Sequence, residues 1–150
     1  MWWNSESQSN WWDGYLRYAF PLNDPEAFGS GRKFAEYILS TQDKDGYIGI
    51  YSPDLRYKFT TENGELWSKA TLYRVLLAYY EATKRNDVLE AIIRAVENVM
   101  VNYPINASTP FSAERPYGGI SHGLMFTDVL DKLYRSQAQK VTWTVRLFIY

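Results

Sequence analysis

The chain contains no cysteine, so it forms no disulfide, no thiolate metal site and no cysteine nucleophile of its own. Histidine is nearly absent too: His122 stands alone, and one imidazole without partners makes no metal site. A formal net charge of -1 leaves no electrostatic footprint for nucleic acid or for an anionic membrane surface. No apolar run approaches the roughly 20 residues that span a bilayer. The opening Met1-Trp2-Trp3-Asn4-Ser5-Glu6 lacks a basic-then-apolar leader. The lack of cysteine assigns no compartment, because reducing and oxidising environments both tolerate it. The length of 150 residues is enough for one ordinary domain with one core.

Aromatic residues are abundant instead, at 17%, with 6 Trp and 13 Tyr. Many of these are expected in the core. Others fall among polar neighbours, as Trp2, Trp3, Trp11 and Trp12 do between Asn4, Glu6, Gln8 and Asn10. A flat ring beside amides and carboxylates suits a sugar, whose C–H face stacks while its hydroxyls find polar partners.

Helical periodicity dominates the chain and predicts helices over about 11–20, 25–41, 65–83, 87–102 and 121–135. Pro21 stops the first. Asp24-Pro25-Glu26 opens the second, with Asp24 as N-cap and Pro25 at the first helical position. The third is apolar on more than one face around Val75-Leu76-Leu77-Ala78-Tyr79-Tyr80, as a helix covered on both sides should be. Val88, Leu89, Ile92, Ile93, Val96 and Val99 mark the fourth, and Leu124, Val129, Leu130 and Leu133 the fifth. Between the second and third, Asp45-Gly46 and an alternating stretch would allow a short hairpin but no sheet domain. Short turns from odd to even helices, and long aromatic loops from even to odd, predict an all-α fold of stacked αα-hairpins. Five helices make two hairpins and the first arm of a third.

Four segments carry a likeness in their order: Trp12-Asp13-Gly14, Ile38 through Gly49 with its Gln42-Asp43-x-Asp45-Gly46-Tyr47 core, Glu65-Leu66-Trp67, and Tyr79-Tyr80-Glu81-Ala82-Thr83. Over roughly residues 2–135 the chain resembles the N-terminal part of the β-L-arabinofuranosidase-type glycosidases, glycoside hydrolase family 127 and its neighbours. The resemblance implies an incomplete (α/α)6 barrel over residues 1–135, a carbohydrate substrate and carbohydrate metabolism as the setting. It also implies a glutamate acid/base, a cysteine nucleophile and a cysteine-bound zinc further along than this chain reaches. No catalytic residue and no metal ligand are therefore expected here, and zinc only in a full-length relative. Where arabinofuranosidases of the family often carry Gly-His after the Glu-Leu-Tyr motif, this chain has Ala70-Thr71, which marks a divergent branch.

In such a barrel the loops entering the inner helices surround one open end, here Trp2 to Trp12, Asp45 to Trp67 and Tyr117 to His122. The substrate-binding candidates are Trp11, Trp12, Asp13, Tyr47, Glu65, Trp67 and His122. Each has a plain alternative. His122 at a helix start caps or satisfies a carbonyl as readily as it meets a sugar hydroxyl. Asp13 and Glu65 suit helix starts, and Asp43 and Asp45 with Gly46 read first as turn residues. A glycosidase needs two carboxyl groups at a set separation, which spacing in sequence does not supply. Two other readings stay open: another (α/α)-barrel enzyme, an unsaturated uronyl hydrolase or a polysaccharide lyase, and a glycan-binding helical module without catalysis.

Beyond Arg135 the pattern changes. Ser136 to Thr144 has neither turn chemistry nor helical period where the earlier repeat has Ala82 to Glu90. One possible coding string for it, read in a shifted frame, restores a polar turn aligned with that repeat. Residues 136–150 are accordingly expected to be a frameshifted tail, and the third and fifth helices to show apolar flanks that further hairpins would cover.

Overall fold

A computed structural model describes residues 2–58, 64–104 and 119–136. The fold is all-α: α1 (Trp2–Ala19), α2 (Pro25–Ser40), α3 (Gly64–Thr83), α4 (Asn86–Asn102) and α5 (Gly119–Ser136). Among the described residues there is no strand. The 42–58 segment is held by turns instead, with Gly46 N–H donating to Asp43 O at 2.9 Å and Asp43 N–H to Tyr47 O at 3.0 Å.

The first helix corrects an expectation. It begins at Trp2, so the stretch from Trp2 to Trp12 is helix and not a loop at the mouth of a site. The physical reason is local: no proline or glycine interrupts residues 2–13, and the Ser, Asn and Gln there weaken a helix without breaking it. Pro21 ends it as anticipated, and Asn23, at φ 53°, turns the chain. Asp24 then caps α2, its Oδ1 accepting from Glu26 N–H at 2.9 Å and Ala27 N–H at 3.3 Å.

α2 presents small residues, Ala27, Gly31 and Ala35, at the spacing of one helix face. A Cβ on Gly31 would meet the Leu16 side chain at 2.7 Å, so glycine sets how closely α1 and α2 approach. α3 lies between α1 and α5, while α2 and α4 pack behind them and touch each other. Its position explains its composition: Leu66, Ala70, Leu72, Tyr73, Val75, Leu76, Leu77 and Tyr79 are all buried, covering every face. Leu76 of α3 and Leu130 of α5 share one core. α4 is amphipathic, burying Val88, Ala91, Ile92, Ala95, Val96 and Val99.

α3 thus has no open apolar flank, contrary to expectation. On α5, Leu124 and Tyr134 are exposed, with the charged Asp128, Asp131 and Lys132 between them. The proposed tail past Ser136 and the Tyr117-Gly118 entry to α5 lie outside the described residues.

Candidate functional site

The Gln42-Asp43-x-Asp45-Gly46-Tyr47 segment is built to deliver one side chain inward. Gln42 Nε2 donates to Gly46 O and to Ala91 O of α4, each at 2.9 Å, and Arg94 donates to Gln42 Oε1. Asp45 Oδ1 accepts the Tyr47 N–H at 3.0 Å. Gly46 sits at φ 90°, and a Cβ there would meet Arg94 O at 2.6 Å, so only glycine fits. The turn ends with Tyr47 wholly inside.

There it meets a polar stripe on α3, Glu65, Lys69 and Tyr73, spaced four residues apart on one face. Tyr47 Oη donates to Glu65 Oε1 at 2.9 Å, and the Tyr57 N–H donates to Glu65 Oε2 at 2.6 Å. Lys69 Nζ and Tyr73 Oη both donate to Ile48 O, at 2.9 and 2.8 Å. Lys69 Nζ lies 4.0 Å from Glu65 Oε1 and 3.6 Å from the centre of the Tyr47 ring, and Arg56 Cζ lies 3.6 Å from the same centre. Tyr57 Oη donates to Asn98 Oδ1 at 2.5 Å, and Asn98 Nδ2 donates to Asp45 O at 3.1 Å, tying the cluster to α4.

Glu65 and Lys69 are 1% and 0% exposed, and burial sets the protonation of the group. Loss of water pushes the Lys69 ammonium down to about 7, against the pull of Glu65. The hydroxyls of Tyr47, Tyr57 and Tyr73 are all pushed upward by burial, with the Glu65 charge adding to the effect. Both Glu65 oxygens are taken by donors that fix the loop, so the carboxylate works as a clamp between the 42–57 segment and α3.

The seven sequence-derived candidates fall in three places. Tyr47 and Glu65 come together in the interior, not at an open face. Trp67 and His122 pair at the starts of α3 and α5, with ring centres 4.6 Å apart. The Trp67 Nε1–H there is buried with no acceptor among the described residues. Trp11, Trp12 and Asp13 sit midway along α1. Trp12 stacks on Phe34 of α2 at 4.5 Å, which makes it a packing residue, while Trp11 is 59% exposed and stacks on Tyr15. Asp13 joins α1 to α3: Oδ1 is 2.9 Å from Arg17 Nε and Oδ2 is 3.4 Å from Arg74 Nη2. Arg74 Nε in turn faces Asp128 of α5 at 3.4 Å, an ion pair without hydrogen-bond geometry.

Lys69 and Tyr73 were not singled out by sequence. The available signal was a lysine at the middle of an otherwise apolar helix, four residues after Glu65. Among the described residues no group of three or more His, Asp or Glu could hold a metal, and with no cysteine the chain does not fit a cysteine-bound zinc. Compared with known proteins, the chain matches no family model, no curated protein and no solved structure.

Proposed function

We propose that this chain forms the opening hairpins of a glycoside hydrolase of the β-L-arabinofuranosidase type, an (α/α)6-barrel enzyme acting on non-reducing-end arabinofuranosides or related glycans. What supports the reading is the layering of the helices. α3 lies between α1 and α5 with α2 and α4 behind, which is how successive hairpins of an (α/α) barrel would be laid down. One of the four segments that together carry the resemblance, Gln42 to Tyr47, also has a demanding structural task here, locking Tyr47 onto Glu65.

Asp13 and Glu65 are both engaged by cationic or hydrogen-bonding partners and serve packing, and the resemblance puts the acid and nucleophile of hydrolysis in parts of the enzyme beyond this chain. The test is an assay of the purified chain and of the protein encoded by the extended gene, on aryl arabinofuranosides, other aryl glycosides and unsaturated uronides. The chain alone should hydrolyse none of them, with or without zinc, and the extended protein should turn over an arabinofuranoside. Turnover of unsaturated uronides alone would replace this reading with the uronyl hydrolase. Inertness of the extended protein on the whole panel would overturn it.

A further inference from the structure

An open cleft of about 650 Å³ lies between the first turns of α1, the last turn of α2 and residues 48–50. That volume falls within the roughly 300–1,000 Å³ of small-molecule sites. Its chemistry is unusual for a chain in which 22% of residues are charged: among the described residues, no side chain that lines it carries a charge. Asn4 and Gln8 stand one turn apart on α1 and are exposed, offering two amides on the same face. Thr41 at the end of α2 donates its hydroxyl proton to Ile38 O at 2.7 Å, which leaves its oxygen to accept. Tyr37 is 67% exposed beside the cleft, a large ring that the core does not use. The base is apolar, formed by Ile48 and Leu72, which are buried.

These properties select among ligands. An anion or cation would leave water for a wall with no opposite charge, at a cost in solvation that nothing returns. A purely apolar ligand would strand the amides. A neutral ring bearing hydroxyls satisfies both surfaces, exchanging water for the amides and Thr41 while its C–H face rests on Tyr37 and the aliphatic base. We propose that this cleft is a binding site for a neutral saccharide, with Tyr37 as the stacking platform and Asn4 and Gln8 as the hydroxyl partners. The site rests on the cleft alone and holds whether or not the chain contributes to hydrolysis.

The test is an NMR titration of the full chain, labelled with ¹⁵N, with L-arabinose, D-galactose, D-glucose and D-glucuronate in turn. At least one neutral sugar should give saturable shifts at the Gln8 side-chain amide and at backbone amides around Tyr37, and glucuronate should bind more weakly. Tyr37→Ala should weaken binding by about twofold to tenfold, the loss of one aromatic stacking contact. Gln8→Ala should weaken it as well, and Tyr18→Ala, which removes a 75% exposed ring of α1 that does not line the cleft, should not. Absence of saturation with every neutral sugar, preference for glucuronate, or equal weakening by Tyr18→Ala would each overturn the proposal.

Discussion

Tyr47 Oη donates to Glu65 Oε1 at 2.9 Å across 18 residues of sequence, joining a loop to the most buried helix of the protein. The other carboxylate oxygen takes the Tyr57 N–H at 2.6 Å, so one side chain on α3 holds both ends of the 47–57 segment. Deleting the phenol should therefore cost more than an ordinary hydroxyl. Tyr47→Phe leaves a buried carboxylate oxygen without its hydrogen bond, with only the Lys69 ion pair at 4.0 Å, a loss of about 1–3 kcal/mol. Urea unfolding would read it as a lower midpoint at unchanged slope, and an unmoved midpoint would show that the bond contributes nothing.

Stability should depend on alkaline pH in two opposed stages. Lys69 is held at about 7 when folded, below the 10.5 of the free side chain. Between these values the unfolded chain binds the extra proton, so stability rises with pH by at most roughly 1.4 kcal/mol per unit and is lost again on descent toward pH 7. Above pH 10 the sign reverses, because Tyr47, Tyr57 and Tyr73 are kept protonated in the fold and ionise on unfolding. Denaturant melts from pH 7 to 11 should pass through a maximum near pH 10, and Lys69→Met should flatten the rising limb.

Three glycine substitutions should differ in sign. Gly46→Ala combines the left-handed backbone with a carbonyl at 2.6 Å and should cost at least about 1–2 kcal/mol. Gly49→Ala would press its methyl to 2.7 Å from Tyr47 Oη and 3.1 Å from Lys69 Nζ, and should destabilise through the same cluster. Gly14→Ala meets nothing within 4 Å inside α1 and should stabilise by about 0.5–1 kcal/mol. Thermal melts of the three variants decide this, and a stabilised Gly46→Ala would contradict the described turn.

The two neighbouring tryptophans should separate just as clearly. Trp12 is half-buried and stacks on Phe34 between α1 and α2, so Trp12→Ala should cost about 2–3 kcal/mol, short of the roughly 3–5 kcal/mol of a fully buried large-to-small change. Trp11 is mostly in solvent and its ring meets only Tyr15 and the edge of Trp12 among the described aromatic contacts, so Trp11→Ala should cost only about 0.5–1.5 kcal/mol. Equal losses would mean that α1 is turned differently about its axis.

Short-range chemistry was legible in this chain. The Asp24-Pro25 cap, the stop at Pro21, the amphipathic period of α4 and the all-round apolar pattern of α3 each act within a turn or two, and the helices follow them. The start of α1 was not legible, because a run of tryptophans among polar residues has no strong preference of its own. The pairing of Tyr47 with Glu65 was open to sequence only as two candidates in a list of seven.

That Glu65 would clamp a loop, that Trp12 would pack on Phe34 and that Lys69 would sit dry beneath Ile48 all depend on residues 18 to 22 positions apart being brought within hydrogen-bonding or stacking distance. Sequence by itself determined that the protein would be helical, and roughly where, since a helix satisfies its backbone groups from within four residues. Which polar side chains became structure and which stayed available to a ligand was settled by burial, a property of neighbours far along the chain. The same aromatic and amide residue types serve as packing at Trp12 and Gln42 and as an open surface at Tyr37 and Gln8, and only the fold separates them.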